Sequence, residues 1–380
     1  MDSLVNTISD SSVVPASEVD LTNLTIVIPT YERPAYLFRQ ITYLSKWKTR
    51  VEIVDGSAQP LDGELTKLIE RFPHINYRHC HASYTERVFL ACERIKTPYA
   101  MCLADDDFYL QSGLVSAIKE LESDSNAAAC MGQCLGFDRF NQGHYYFLYG
   151  SNLRNYSVNA VSAAKRIAEG MEGYRSATSY AVFRTSAFLK VWAKRENMSC
   201  LEAVEYEHAI RTYLCGGLIT TPAIYWLRSF ETQPVASAID GNRAIDFAKW
   251  CNDVIFNREC ESFKLRILGL FLAEGSLNKI EAEVLYDFII QLILAKSHAS
   301  FSDKSITITV VEKLLKIVYA ISSNNLNGLK RTHTWQAIRA AVFYFSRKKI
   351  HGRGVGNSAE RSELHKILEF ASLFAAMVNK

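Results

Sequence analysis

Apolar and polar positions alternate in two kinds of block through the first third of the chain. The run Leu24-Thr25-Ile26-Val27-Ile28-Pro29 is continuous and β-branched, short enough for a strand buried on both faces. From Pro34 the spacing changes, and Leu37, Ile41 and Leu44 recur at helical intervals. Val51-Glu52-Ile53-Val54 predicts a second strand, stopped by Asp55-Gly56-Ser57. A helix over 61–72, a short strand at 75–77 and a helix over 84–95 follow. A fourth strand, Tyr99-Ala100-Met101-Cys102-Leu103, runs straight into Asp105-Asp106-Asp107. Strands alternating with helices of this length predict a parallel α/β sheet.

After residue 125 the pattern loosens. Strands are predicted at 127–137, 145–149, 180–184 and 218–227, with helices near 160–169 and 201–214, which suits a mixed sheet completed by antiparallel strands. From about Ala236 strand signals nearly vanish, and five or six amphipathic helices remain. The division that results is a disordered lead-in over 1–21, a mixed-sheet α/β domain over 22–232 and an all-α helical domain over 233–380. No internal repeat or low-complexity tract interrupts it.

Composition changes this picture little. A chain of 380 residues, 48% hydrophobic and 22% charged, has the make-up of an ordinary water-borne globular protein. The formal charge of +3 is too small to argue for nucleic acid or an anionic membrane, so any electrostatic argument must be local. Nine cysteines without a CxxC pair predict reduced thiols in the cytoplasm rather than a zinc site. The polar start lacks the basic and apolar regions of a secretory signal. The longest apolar stretch, 288–295, is far short of the roughly 20 residues that span a bilayer.

In an open parallel sheet, ligands gather at the carboxyl ends of the strands. Here those ends are polar: Pro29-Thr30-Tyr31-Glu32-Arg33-Pro34, Asp55-Gly56-Ser57 and Asp105-Asp106-Asp107. Three adjacent carboxylates repel one another, and burial near a sheet would cost more still. Mg²⁺ or Mn²⁺, which takes carboxylates, waters and diphosphate oxygens, would offset that cost. In an extended turn Asp105 and Asp107 would point the same way and leave Asp106 free. The plainer reading is a solvated acidic loop capping a helix from about Ser112.

These residues resemble the N-terminal half of family 2 glycosyltransferases with the GT-A (Rossmann-like) fold. The likeness rests on LTIVIPTYERP (24–34), Val54-Asp55-Gly56-Ser57 and TPYAMCLADDDF (97–108), and covers roughly 22–230. It implies that Pro29, Thr30, Tyr31, Arg33 and Asp55 line a nucleoside pocket. Asp105 and Asp107 would form the DxD element and hold the metal, with Asp107 favoured as direct ligand and Asp106 nearer the ribose. Arg87 would pair with a phosphate or with the aspartates, or else is a surface helix charge. Ala104 departs from the commoner family pattern, which has an acid there, and leaves open which two aspartates form the metal pair.

An inverting transfer needs a carboxylate to take the acceptor hydroxyl proton. The family's acidic helix start is matched by Val204-Glu205-Tyr206-Glu207-His208, followed by Arg211 and Gly216-Gly217. Glu205 and Glu207 lie about 200° apart on a helix, so only one can face a reaction centre. Position in the motif favours Glu205 as the base, although the family more often has Asp there. Arg228 is a candidate diphosphate contact. Tyr174, Arg175 and Tyr180 are candidates on the acceptor side or simply core, and His208 and His144 are further metal candidates.

The resemblance implies a metal-dependent transfer from a nucleotide-diphosphate sugar, a UDP-sugar favoured, to a glycan or lipid-linked glycan acceptor in surface polysaccharide or glycoconjugate synthesis. The helical domain would shape the acceptor side or a homo-oligomer interface. Residues 330–353 hold seven Lys/Arg, no acid, and Trp335, Phe343, Tyr344 and Phe345. That is a candidate peripheral membrane contact, with a solvated basic helix face as the plainer alternative. Two rivals stand beside the transferase. A sugar nucleotidyltransferase would want a glycine-rich phosphate loop, which Thr30-Tyr31-Glu32-Arg33 lacks. A non-catalytic nucleotide-binding scaffold on the same fold is the other.

Overall fold

A computed structural model describes residues 19–137, 145–149, 153, 156–174, 176–231, 245–299 and 358–378. The lead-in up to residue 18, His144, Arg175 and the basic stretch 330–353 lie outside the described residues.

The first half is the predicted alternation. Strand β1 (Asp20–Thr30) leads to α1 (Pro34–Leu44), β2 (Lys48–Asp55), α2 (Gly63–Glu70), β3 (Ile75–His79), α3 (Tyr84–Cys92) and β4 (Tyr99–Cys102). These four strands lie parallel in the order β3-β2-β1-β4. β1 starts inside the expected lead-in because Leu21 is already buried and Asp20 already pairs with Lys48. Local chemistry sets the helix starts. Pro34 opens α1, Asp62 caps α2, and Ser83 with Glu86 forms a capping box on α3.

The second half closes the sheet with mixed directions. It contains β5 (Phe108–Tyr109), α4 (Gln111–Ser123), β6 (Ala127–Phe137), β7 (Tyr145–Leu148), α5 (Ala163–Glu172), β8 (Val182–Arg184), α6 (Thr185–Val191), α7 (Leu201–Cys215) and β9 (Gly217–Ser229). The path continues β4-β8-β6-β9-β5, with β7 beside β6. β8 is antiparallel to both neighbours, and β5 is antiparallel to β9. β6 and β9 run parallel, with irregularities that shift their register. The strand expected over 180–184 begins at Val182, because 3₁₀ helix covers Ser176–Tyr180. β5 has only two residues, too few to leave a periodic signal.

Beyond residue 231 the described residues hold helices and no strand: α8 (Phe247–Asn252), α9 (Asn257–Glu274), α10 (Lys279–Ala299) and α11 (Ser358–Val378). α9 packs on α7 and α10, α10 on α5, and α11 on α4. Phe370 of α11 meets Tyr43 and Phe108, and Phe374 meets Phe38. Aromatic residues from both ends of the chain therefore enclose Phe108, directly beside the aspartates. Among the described residues no helix is long and apolar enough to cross a membrane. All nine cysteines are unpaired.

Candidate functional site

β1 lies between β2 and β4, so three carboxyl ends stand side by side. Thr30 pairs with Asp55, the Gly56 amide donates to Thr30 O at 2.9 Å, and the Leu103 amide donates to Val27 O at 2.9 Å. The three polar strand ends expected from the sequence are thus adjacent.

The aspartates form a tight turn, not an extended one, and the Asp107 amide donates to Ala104 O at 3.3 Å. Asp105 and Asp107 consequently diverge. Asp105 Oδ2 accepts from Thr30 Oγ1 at 2.7 Å. Arg33 Nη1 bridges Asp105 Oδ1 at 3.1 Å and Asp106 Oδ2 at 2.8 Å. Asp107 faces β9, where Oδ2 accepts from Trp226 Nε1 at 2.8 Å and Oδ1 from the Ser229 amide at 2.8 Å. The helix-cap reading fails on this geometry. α4 starts at Gln111, and Glu363 of α11 accepts from the amides of Gln111 and Ser112.

Burial dominates the electrostatics of the turn. Asp105 is 5% and Asp107 3% exposed. Desolvation, and then the charge of Asp106, push Asp105 up to about 6 against the pull of Arg33 and Thr30. The same two causes push Asp107 to about 8, opposed by Ser229, Trp226 and Arg228. Burial thus makes the ionised carboxylates costly at this tip in spite of their partners.

Two residues that sequence reasoning passed over hold the turn from α1. Arg39 Nη2 donates to Asp106 O and Nη1 to Glu231 Oε2, each at 2.7 Å, and its guanidinium lies 4.8 Å from the ring centres of Tyr36 and Phe108. Gln40 Nε2 donates to Asp107 O. A charged residue within the buried apolar stripe of α1 was the available signal for Arg39. Trp226, inside the apolar run Tyr225-Trp226-Leu227, was the corresponding signal on β9, because a buried indole N–H needs an acceptor.

Around the first strand end, Glu32 adopts a left-handed conformation (φ 53°). Its amide donates to Ser57 Oγ, and its Oε1 accepts from the Ala58 amide, each at 2.7 Å, which ties this loop to the end of β2. Asp55 accepts from the Ser57 amide and from the Tyr77 hydroxyl, each at 2.9 Å. Arg87 is buried, not a surface charge. It donates to Thr30 O and lies 5.8 Å from the Tyr31 ring centre. A side chain on Gly56 would crowd it, since an added Cβ would stand 2.9 Å from Arg87 Cδ. Pro29, Tyr31 and Arg33 are partly exposed at the mouth of this group.

A second wall comes from α7, the segment following α5, and β9. Glu205 is partly exposed and receives the Tyr174 hydroxyl at 3.5 Å. Burial by surrounding protein, and then Glu202, raise its carboxyl to about 7 in spite of Arg228 and Tyr174. Arg228 links this wall to the aspartates. It feels the charge of Asp107, donates to the Tyr149 hydroxyl at 2.8 Å and lies 5.9 Å from the Trp226 ring centre. Tyr180 stacks on Trp226 with centres 4.5 Å apart.

Glu207 points away, as the helical angle requires. It is fully buried, 2.8 Å from Arg211 and 2.9 Å from Arg266, with Arg195 at 4.0 Å. His208 is enclosed by Trp192 and Phe183, away from the carboxylates. No group of three or more His, Cys, Asp and Glu able to hold a metal occurs among the described residues.

No family model matches the chain, and neither does any curated protein. Among solved structures it is similar to S. aureus TarS. The TarS 1-349 structure in complex with UDP-GlcNAc shares 13% identity at a TM-score of 0.48, over 82% of this chain and 77% of that one. The complex with UDP shares 12% at 0.47, over 94% and 91%. Against a further TarS structure the figures are 12% and 0.46, with 74% of this chain matched to 44% of TarS.

Proposed function

We propose that the chain is a glycosyltransferase that moves a sugar from a nucleotide-diphosphate sugar, a UDP-sugar favoured, to an acceptor hydroxyl. One observation carries the reading. Three polar strand ends of a parallel sheet meet around the buried carboxylates of Asp105 and Asp107, and a second wall holding the partly exposed Glu205 is linked to them through Arg228.

On this reading the nucleoside sits over Pro29, Thr30, Tyr31 and Asp55, with Arg33 and Arg87 on the phosphate side and Asp106 towards the ribose. The donor set suits Mg²⁺ or Mn²⁺. The ligands are hard oxygens, and each oxygen of Asp107 keeps a lone pair beyond its hydrogen bond to protein. Asp107 would hold the ion directly, and Asp105, turned to Thr30 and Arg33 in this structure, would have to swing round to join it. When bound it would neutralise charge developing on the leaving diphosphate.

The protein's own steps are these. Arg39 and Gln40 fix the backbone of the aspartate turn, and Trp226 and the Ser229 amide orient Asp107. Glu205 takes the acceptor hydroxyl proton onto its carboxylate as that oxygen attacks the sugar carbon. Tyr174 holds Glu205 in place. Attack from the face opposite the leaving group inverts the anomeric configuration, an outcome that rests on the family resemblance.

The test is a thermal-shift series on the full chain with Mn²⁺ alone, UDP alone and both, followed by a screen of nucleotide-sugars for metal-dependent hydrolysis. The transferase reading expects stabilisation by the pair beyond either component and slow hydrolysis of at least one donor. Stabilisation without turnover on any donor or acceptor would favour a binding scaffold. No stabilisation at all would remove the nucleotide reading.

A further inference from the structure

Three arginines reach the ends of β1, β2 and β4, and two of them are buried there. Arg39 is 2% exposed and bound to Glu231 and to a backbone carbonyl. Arg87 is buried and donates to the carbonyls of Thr30 and Ser83. Arg33 differs. Its side chain is 14% exposed, and one nitrogen, Nη1, bridges the carboxylates of Asp105 and Asp106. Its guanidinium also lies 5.7 Å from the ring centre of Tyr36.

We propose that Arg33 is an exchangeable counter-ion. It neutralises Asp105 and Asp106 in the structure described, yields Asp105 to the divalent cation and Asp106 to the ribose side when a nucleoside diphosphate enters, and turns its guanidinium onto the diphosphate oxygens. The inference rests on reading the site as one for a nucleotide-diphosphate sugar. A single positive charge shared by two carboxylates is a weaker partner than a dication that also binds phosphate. A guanidinium released at the pocket mouth presents a planar fork that matches phosphate oxygens. The exchange keeps the turn compensated before and after donor binding, and makes cation and nucleotide binding mutually dependent.

Binding of Mn²⁺ alone and of UDP at saturating Mn²⁺ should be measured by calorimetry on the full-length wild type, Arg33→Gln and Arg33→Lys. Arg33→Gln removes the competing charge, so Mn²⁺ alone should bind roughly tenfold tighter, while UDP should bind roughly tenfold weaker. Arg33→Lys keeps the charge and loses the fork. Its Mn²⁺ affinity should stay within about threefold of wild type while its UDP affinity falls. Unchanged or weaker Mn²⁺ binding by Arg33→Gln, or unchanged UDP binding, overturns the exchange. If Arg33→Gln does not fold, Arg33→Lys decides, and wild-type UDP affinity there overturns it. A wild type that binds neither probe sinks the site reading itself, whereas normal wild-type binding with unmoved variants sinks only this inference.

Discussion

The indole Nε1 of Trp226 donates to Asp107 Oδ2 at 2.8 Å across 119 residues of chain. With the Ser229 amide on the other oxygen, it aims the carboxylate at β9 and keeps it ordered in a site almost closed to water. Trp226→Phe keeps an aromatic ring against Tyr180 but removes the donor along with part of the buried ring. The lost bond to a carboxylate is worth about 1.5–3 kcal/mol. A fall in melting temperature together with a smaller UDP–Mn²⁺ shift is expected. A variant that melts and binds like wild type would show that the indole does not position Asp107.

Asp107→Asn should be worse than its near-identical shape suggests. An amide group has one oxygen, so its NH₂ must face either the Trp226 or the Ser229 N–H, donor against donor. About 1–3 kcal/mol of stability should be lost. Mn²⁺-dependent stabilisation by UDP should disappear, and donor hydrolysis should drop at least a hundredfold. Scanning calorimetry with and without the pair checks both.

Glu205 has its carboxyl raised from an ordinary 4.5 to about 7. A base works when ionised, so kcat/KM should rise with pH through about 7 and level off above it. Glu205→Gln should lose activity and the rising limb together. Stability runs the other way. The folded state holds this proton more tightly than the unfolded chain, so the contribution is full below about 4.5 and is lost as pH rises through about 7. Glu205→Gln should therefore gain most relative to wild type at pH 8. Melting curves at pH 5 and pH 8 test the sign.

Glu207 should behave oppositely, although it sits two positions away. Glu207→Ala strands Arg195, Arg211 and Arg266 around an uncompensated buried site. A loss of about 3–5 kcal/mol is expected. The protein that remains folded should keep the wild-type pH profile, read from kcat/KM at low temperature.

Glu363 satisfies the amides at the start of α4 from a helix some 250 residues later in the chain. Glu363→Ala should cost about 1 kcal/mol, as for loss of a helix cap. Protease cleavage should also become faster near α11, whose hold on α4 includes this contact. Equal melting points for variant and wild type would refute the capping role.

Much of the architecture was readable in order along the chain. The apolar run at 24–29 lies within β1, the run at 51–54 within β2, and the predicted strand at 127–137 coincides with β6. Helix starts followed from local chemistry at Pro34 and Ser83. Features made by pairing were not readable. β5 is too short for a pattern, and the parallel partnership of β6 with β9 joins segments separated by β7, α5, β8, α6 and α7.

The same division runs through the candidate site. By itself the sequence determined that polar residues follow β1, β2 and β4, and that Glu205 and Glu207 must face different ways, because strand ends and helical angles are local properties. Only the tertiary structure decided that Asp105 and Asp106 turn to Arg33 while Asp107 turns to Trp226. It alone placed Arg39, Gln40 and Glu363 around the aspartate turn and its following helix. Those choices depend on which distant groups arrive to satisfy buried charges and backbone amides, and a one-dimensional pattern carries no record of that meeting.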